Sequence, residues 1–503
     1  MLTQNIIPLF VIIPLFSAFF ISFIGRFVKK TFINAFCCFS TAALLFFSAF
    51  SISALKASAT SVLVYTIGGW KPPYGICLVL DGLSVLMLVT VNLVAFLVCV
   101  YSVSYMEKYT DRTKFFTLFF LMLCGMNGLV VTGDLFNLFV FLEIASISSY
   151  ALVAFGTEAE ELEASFKYAI MGSVASSFIF IGIAFLYGFT STLNMADMAR
   201  VISEKPQMWL VPFVSVLFLM GFGLKAALVP FHAWLPDAHS SAPASISAML
   251  SGVLIKTLGI YAMIRIFFNI FGITQALQSA LMFLGALSML VAVILALSQW
   301  DLKRLLAYHS ISQVGYVVLG LGLGTPLGIL GGLFHLFNHS VFKSLLFLNS
   351  GAIDYAVGTR DLKEMSGLRK KMPVTAATNF IASMSIAGIP PFNGFFSKLL
   401  IIFACIEKGY IGYALAAVAA SILTLASFMK VQKFAFLGEL KEKYAEVKEA
   451  PLAMQFSMVC LALVCIFGGL LLLPIFKPFL TSAADVLLAG RGYAGGVFKA
   501  VLR

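Results

Sequence analysis

The sequence predicts an all-α polytopic membrane protein of about fourteen spanning helices, with two inverted five-helix repeats that each contain a broken helix. Three observations lead there. The 503 residues are 61% hydrophobic and 11% charged, with a mean hydropathy of +1.01, whereas soluble chains are about 45–50% apolar and about 25% charged. Basic residues gather in alternate loops. Two of the apolar stretches carry prolines in their middle and lie five spans apart.

Apolar runs separated by polar breaks begin near Ile6, Phe32, Leu78, Phe115, Leu135, Phe166, Trp209, Ala244, Ser279, His309, Leu327, Pro373, Tyr410 and Ala453. Each holds the roughly 20 apolar residues that a spanning helix requires. Cytoplasmic loops accumulate Lys and Arg. The loops after odd-numbered spans hold 19 basic residues and those after even-numbered spans hold 5; a miscounted span would invert everything after it and blur that contrast. The expected topology is multi-pass in the cell (inner) membrane with both termini on the outer face. The first run has no basic residue before it and is followed by Arg26, Lys29 and Lys30, so it reads as a retained first span. The chain divides into residues 1–110 (helices 1–3), 111–270 (first repeat), 271–437 (second repeat) and 438–503 (helix 14 and tail).

The net charge of +11 reads as topological, with the bilayer and no nucleic acid as partner. The eight cysteines, Cys37, Cys38, Cys77, Cys99, Cys124, Cys405, Cys460 and Cys465, form no CxxC pair and read as small apolar fillers. That spacing argues against an iron–sulfur cluster or structural zinc. No P-loop is present, and the glycines around Gly320 lack GxGxxG spacing. No cofactor is expected.

The stretch from Trp209 runs into GLKAALVPFHAWLPDAHSSAP, with Pro230 five residues after Lys225. The stretch from Pro373 to Ile406 has 34 residues, about 51 Å as a helix and too long for one span. Gly388, Pro390, Pro391 and Gly394 interrupt it just before Lys398. Both read as broken helices, and VPFHAWL faintly echoes PPFNGFF. An offset of five spans reverses direction across the membrane, as in inverted repeats covering spans 4–8 and 9–13. Broken helices at matching positions of inverted units point to a transport path; the plain alternative is that the prolines kink helices for packing alone.

Five basic residues fall inside spans: Lys225, Lys256, Arg265, Lys343 and Lys398. Of the acids, Glu143 lies deep, nine residues past Asp134 and so about 13 Å along a helix. Insertion costs roughly 2.5–3.5 kcal/mol for each such group, so they are expected in a hydrated or paired interior. Arg265, late in its helix, reads as snorkelling to the interface. A lone carboxylate at mid-membrane would stay protonated, but beside an ammonium both groups keep their charge; Lys225 is the candidate partner of Glu143. His335, His339 and Lys343 follow each other at four-residue intervals on one helix face, a pattern suited to proton relay. The same spacing could supply one side of a metal or haem site, or the histidines could simply bond neighbouring hydroxyls. Asp301, Lys303 and His309 open span 10 as a solvated loop start or a proton-uptake site. His232 and His239 follow the first break as further candidates.

The strings GDLFNLFVFLE, GLKAALVPFHAWLPDAHSSAPASISAMLSG, DLKRLLAYHSISQVGY, FHLFNHSVFKSLLFL and PPFNGFFSKLL resemble the antiporter-like subunit family shared by respiratory complex I, Mrp-type sodium/proton antiporters and membrane-bound hydrogenases. They stretch from about residue 130 to 400. The resemblance implies Glu143 and Lys225 as a first-half ion pair, Lys256 as a connecting lysine, His335, His339 and Lys343 as the central relay, and Lys398 as the terminal proton carrier. AYHS, with His309 where many complex I relatives have serine, is more similar to the Mrp and hydrogenase branches. The chain as a whole most resembles the D-type component of Mrp antiporters.

The implied activity is monovalent cation (Na+)/proton antiport by a proton-translocating subunit without its own redox centre, working among other membrane subunits. A proton-pumping module of a hydrogenase or complex I-like enzyme is the close alternative. A redox enzyme binding quinone or haem itself, and a passive scaffold, are the rivals from other classes.

Overall fold

Caps written into the sequence set where the helices begin. In the computed structural model, which describes residues 4–109, 111–205 and 209–501, Asp81, Asp111, Asp134 and Asp301 each accept a backbone N–H three residues on, opening the helices Gly82–Tyr105, Arg112–Val131, Leu135–Val153 and Leu302–Gly322. Thr274 and Thr325 do the same for Gln275–Ser298 and Pro326–Val357. Among the described residues, eleven helices are long and apolar enough to cross a membrane, and Leu210–Lys225 and Pro478–Leu488 are shorter apolar helices.

The helices are arranged in depth. The segment Ala244–Ile270 is wholly buried, and Leu302–Gly322 almost so, whereas only 33% of the most apolar stretch of Lys30–Lys56 and of Leu452–Leu472 is buried. Close packing rests on glycine, because helix association in lipid depends on van der Waals contact. A Cβ on Gly285 would meet Leu319 N at 2.7 Å, one on Gly315 would meet Gly285 O at 2.5 Å, and one on Gly320 would meet Gly332 Cα at 3.0 Å. The glycine string around Gly320 therefore brings helices together.

Loops meet on two sides. On one, Leu302 N donates to Arg360 O (3.0 Å), Gly367 N to Leu437 O (3.1 Å) and Lys108 Nζ to Asp354 O (3.1 Å). On the other, Leu135 N donates to Leu193 O (2.8 Å) and Gly133 N to Cys77 O (2.9 Å). The first set joins loops after odd-numbered apolar runs.

The sequence reading missed three features. Residues near Leu78 form a strand: β1 (Leu63–Thr66) pairs antiparallel with β2 (Cys77–Leu80), and the helix begins only at Gly82 because Asp81 caps it. The spans placed at Phe166 and His309 begin a turn or two earlier, at Ala159 and Leu302, since polar first turns are readily helical. Two further helices, Pro478–Leu488 and Tyr493–Val501, follow the last apolar run.

Candidate functional site

The first break is held open by partners inside the protein. The helix Leu210–Lys225 stops ahead of Pro230, which has no N–H to give. Trp234 Nε1 donates to Leu224 O (3.1 Å), Leu228 N to Gly223 O (2.9 Å), and Val229 N to Ser288 Oγ (2.9 Å). The chain resumes as the helix Trp234–Ser241. Lys225, at the broken end, is buried. Its Nζ donates to Ser146 Oγ (3.0 Å) and Tyr150 OH (3.3 Å), and lies 3.8 Å from Glu143 Oε1. Glu143 and Lys225 are thus brought together, and Ser176 Oγ donates to the carboxylate. Glu143 is only partly enclosed, its side chain 29% exposed.

Lys256 lies on Ala244–Ile270, where the backbone widens into π turns at Leu250–Leu254, Lys256–Tyr261 and Arg265–Ile270, a local geometry frequent at functional sites. Lys256 Nζ donates to Ser251 O. The Ser251 hydroxyl in turn bonds Ser310 Oγ (2.6 Å), which ties the lysine's turn to the helix Leu302–Gly322.

His335, His339 and Lys343 line one buried face of Pro326–Val357, with the two imidazole rings 6.3 Å apart. His335 Nδ1 bonds Ser397 Oγ (2.9 Å), one residue from Lys398. Lys343 Nζ lies 5.5 Å from the Phe347 ring centre, and His239 stacks on the same ring at 4.8 Å.

At the second break, Pro373–Ala387 ends at Gly388 with φ +81°, and Asn393–Glu407 follows. Lys398 Nζ donates to Ile386 O (2.7 Å), a carbonyl the break has freed, and sits 4.6 Å above the Tyr316 ring. Asn393, which stands in PPFNGFF where VPFHAWL has His232, donates through Nδ2 to Asn338 Oδ1 (2.9 Å), and Asn338 Nδ2 donates to Asn393 O (3.0 Å). The two key lysines are not symmetric, since Lys225 precedes its break and Lys398 follows.

Between the breaks, several buried polar atoms have no protein hydrogen-bond partner: Lys343 Nζ, both ring nitrogens of His339 and of His239, His335 Nε2 and both amide atoms of Gln313. Each would cost about 1–3 kcal/mol if left unsatisfied, and buried water is the usual remedy. Buried lysines and histidines of this kind are suited to holding and passing protons. Among the described residues, no three His, Cys, Asp or Glu side chains form a group that could hold a metal ion.

The remaining candidates lie apart. Lys303 is no solvated loop residue: it is buried and donates to Ser240 O (3.3 Å) and to Ala242 O, binding the end of Trp234–Ser241. Asp301 caps its helix through Arg304 N (2.7 Å) and lies 3.6 Å from Arg360. His309 Nε2 bonds Ser427 Oγ (2.8 Å), and His232 is half-buried beyond the first break. Arg265 does not snorkel. It is buried and grips Asp81 in a two-pronged pair at 2.7 and 2.8 Å, because the fold brings Asp81, also fully buried, against it.

Sequence reasoning overlooked Ser146 and Tyr150, although they stand three and seven residues after Glu143 and so share its helix face. It also overlooked Tyr316, beneath Lys398, and Ser176, on Glu143, which only tertiary packing brings near the charges.

Residues 132–424 match the family described as NADH:quinone oxidoreductase/Mrp antiporter, TM, and residues 72–116 match NADH-Ubiquinone oxidoreductase (complex I), chain 5 N-terminus. The chain is 39% identical over 445 residues to the D component of the Na(+)/H(+) antiporter of Alkalihalophilus pseudofirmus, covering 87% of this chain and 89% of that one. It is 33% identical to the corresponding D component of the Bacillus subtilis Na(+)/H(+) antiporter, over 99% of this chain and 100% of the relative. It is 38% identical to the N component of the NADH-quinone oxidoreductase of Desulforudis audaxviator, over 76% and 77%. Among solved structures, a chain of the Mrp complex from Dietzia sp. DQ12-45-1b superposes with a TM-score of 0.90 at 30% identity, covering 100% of both chains. A chain of the archaeal membrane-bound sulfane sulfur reductase gives 0.88 at 31%, covering 98% of this chain and 100% of that one. The chain therefore belongs to the NADH:quinone oxidoreductase/Mrp antiporter family of membrane subunits.

Proposed function

We propose that this chain is the proton-translocating, D-type component of a multisubunit monovalent cation (Na+)/proton antiporter. In this reading it spans the cell membrane about fourteen times with both termini outside. Residues 111–270 and 271–437 act as two inverted half-channel units, flanked by helices 1–3 and by helix 14 with its tail. Glu143, Lys225, Lys256, His335, His339, Lys343 and Lys398 carry protons, and the chain has no redox centre of its own. The observation that carries the reading is the Lys225–Glu143 pair at 3.8 Å, in a protein whose interior also holds a buried lysine and histidines without protein partners. Making and breaking the pair switches Lys225 between holding and releasing its proton, because an ammonium left alone in apolar surroundings sheds its charge.

A partner chain is supported by the open side of Glu143. It lies on the chain's outer surface beside Val140, Ile147, Ser173 and Ser177, all exposed; a charged group facing lipid is costly, and a neighbouring protein surface removes that cost. The test is cation-driven proton movement in everted vesicles expressing the complete complex. Sodium-dependent movement that vanishes in Lys225→Ala while the complex still assembles is the expected result; unchanged movement refutes the reading. Similarity to a component of an NADH-quinone oxidoreductase and to a respiratory membrane complex favours a second reading, a pump module of a redox complex, which would need an electron donor in the same assay.

A further inference from the structure

A groove of about 380 Å³ runs between the helices Leu210–Lys225 and Gln275–Ser298. That size, with apolar walls and a few fixed polar groups, is typical of sites that enclose a small molecule. Val211, Val216 and Leu219 form one wall, and Ala276, Leu277 and Ala280 the other, where the small alanines leave room. From Val211 to Leu219 the wall extends about 12 Å, most of the roughly 15 Å that the hydrocarbon of one leaflet occupies. Val216 is exposed, so the groove opens sideways.

One end of the groove is positive. Trp209, exposed at the start of the first helix, marks the membrane–water boundary, where tryptophan collects. Arg491 borders the groove at this end, beside Thr274. Its Nε donates to Phe271 O (2.9 Å), as does Nη2. Gly272, at φ +68°, lets the loop pass close: a Cβ there would meet Arg491 Nε at 3.2 Å. The guanidinium is thus fixed against a neutral carbonyl, and among the described residues no carboxylate lines the groove. Both helices also begin here. Thr274 caps Gln275–Ser298, whereas Leu210–Lys225 starts without a side-chain cap, which leaves its first N–H groups to another acceptor. Helix N-termini attract anions. Ser215, four residues past Val211 and so about 6 Å deeper, lines the groove almost wholly buried, and its hydroxyl has no protein partner.

We infer that this groove binds one anionic phospholipid from the leaflet on the side of the C-terminal tail, the outer leaflet in the orientation proposed above. The phosphate sits between Arg491 and the uncapped start of Leu210–Lys225, an ester carbonyl accepts from Ser215 Oγ, and one acyl chain fills the space beside the alanines. Charge selects the lipid. Guanidinium and phosphate pair strongly, and a zwitterionic lipid would add an ammonium with no carboxylate in the groove to receive it. A second cavity, between Lys30–Lys56 and Pro478–Leu488, differs in this respect, because both Lys56 and Asp485 line it. Bound in the first groove, the lipid ties the tail to the helix that ends at Lys225.

The test uses the complete complex, purified in detergent, stripped of lipid and given a phosphatidylglycerol with a photoactivatable diazirine in one acyl chain. Crosslinked peptides are identified by mass spectrometry. Labelling is expected within residues 210–219 and 275–281. Unlabelled phosphatidylglycerol should displace it at least tenfold more effectively than phosphatidylethanolamine, and inorganic phosphate should not displace it. Arg491→Gln is expected to cut this labelling at least fivefold. Ala280→Phe, which fills the groove without touching the guanidinium, is expected to do the same. Absence of labelling in these segments, as when a partner chain covers them, overturns the site. Equal displacement by phosphatidylethanolamine, displacement by inorganic phosphate, or unchanged labelling in either variant also overturns it. If Arg491→Gln does not assemble, Ala280→Phe and the lipid competition decide.

Discussion

Asp81→Asn isolates the worth of a buried charge while leaving local structure alone. Asparagine is as good an N-cap as aspartate, so the bond from Ser84 N to position 81 (2.9 Å) survives. What is lost is the negative partner of Arg265, whose Nη1 and Nη2 donate to the two carboxylate oxygens at 2.7 and 2.8 Å. Neither side chain reaches solvent appreciably, at 0% and 4% exposure, so water cannot screen the orphaned guanidinium. Removing one partner of a buried pair costs about 3–5 kcal/mol, or about two to three and a half powers of ten in the folding equilibrium. Ser84, Tyr261, Asn269 and the Tyr493 ring also contact Arg265 and moderate the loss toward the lower figure. The assay is denaturant-induced unfolding of the detergent-purified complex, followed by two independent probes. The double variant Asp81→Leu/Arg265→Leu should be less destabilised than either single change, because no buried charge remains. A loss below about 1 kcal/mol in Asp81→Asn, or a double variant as weak as the sum of the singles, would refute the argument.

Four further outcomes are expected. Glu143→Ala should abolish proton movement in vesicles with assembly intact, and Ser146→Ala should lower it only partly, since one bond to a charged group contributes about 1.5–3 kcal/mol and Tyr150 still holds Lys225. Gly388→Ala should destabilise by about 1–3 kcal/mol and lower the thermal midpoint, because φ is +81° there and the new Cβ would meet Lys398 Cδ at 3.0 Å. Lys303→Met should increase proteolysis near Ser240 and Ala242, because their carbonyls lose the ammonium that binds them and Arg360, through Ser240 O (2.5 Å), remains as the sole cationic partner there among the described residues.

Much of this protein was legible from composition and spacing, each for an identifiable reason. Hydropathy exposes membrane helices because a bilayer offers backbone groups no water and demands long apolar helices. Prolines mark the breaks because a residue without an N–H cannot continue a helix; the interruptions expected after Lys225 and before Lys398 stand at residues 226–233 and 388–392. The His335–His339–Lys343 face follows from helical period alone.

Contacts between distant segments have no such local mark. Asp81 and Arg265 are 184 positions apart, and Arg265 alone looked like a residue reaching for the interface. Lys303 in DLKR looked solvated until the fold laid the end of Trp234–Ser241 across it. Strand β2 lies in an apolar run whose local pattern suits a helix equally, and pairing with β1 decided it. The sequence by itself determined which segments are apolar enough for a bilayer, where helices break and which rows of side chains share a face, because those depend on residue type and period. Only the tertiary structure decided which charges meet and which polar atoms stay unpaired, because those depend on the packing of helices far apart in the chain.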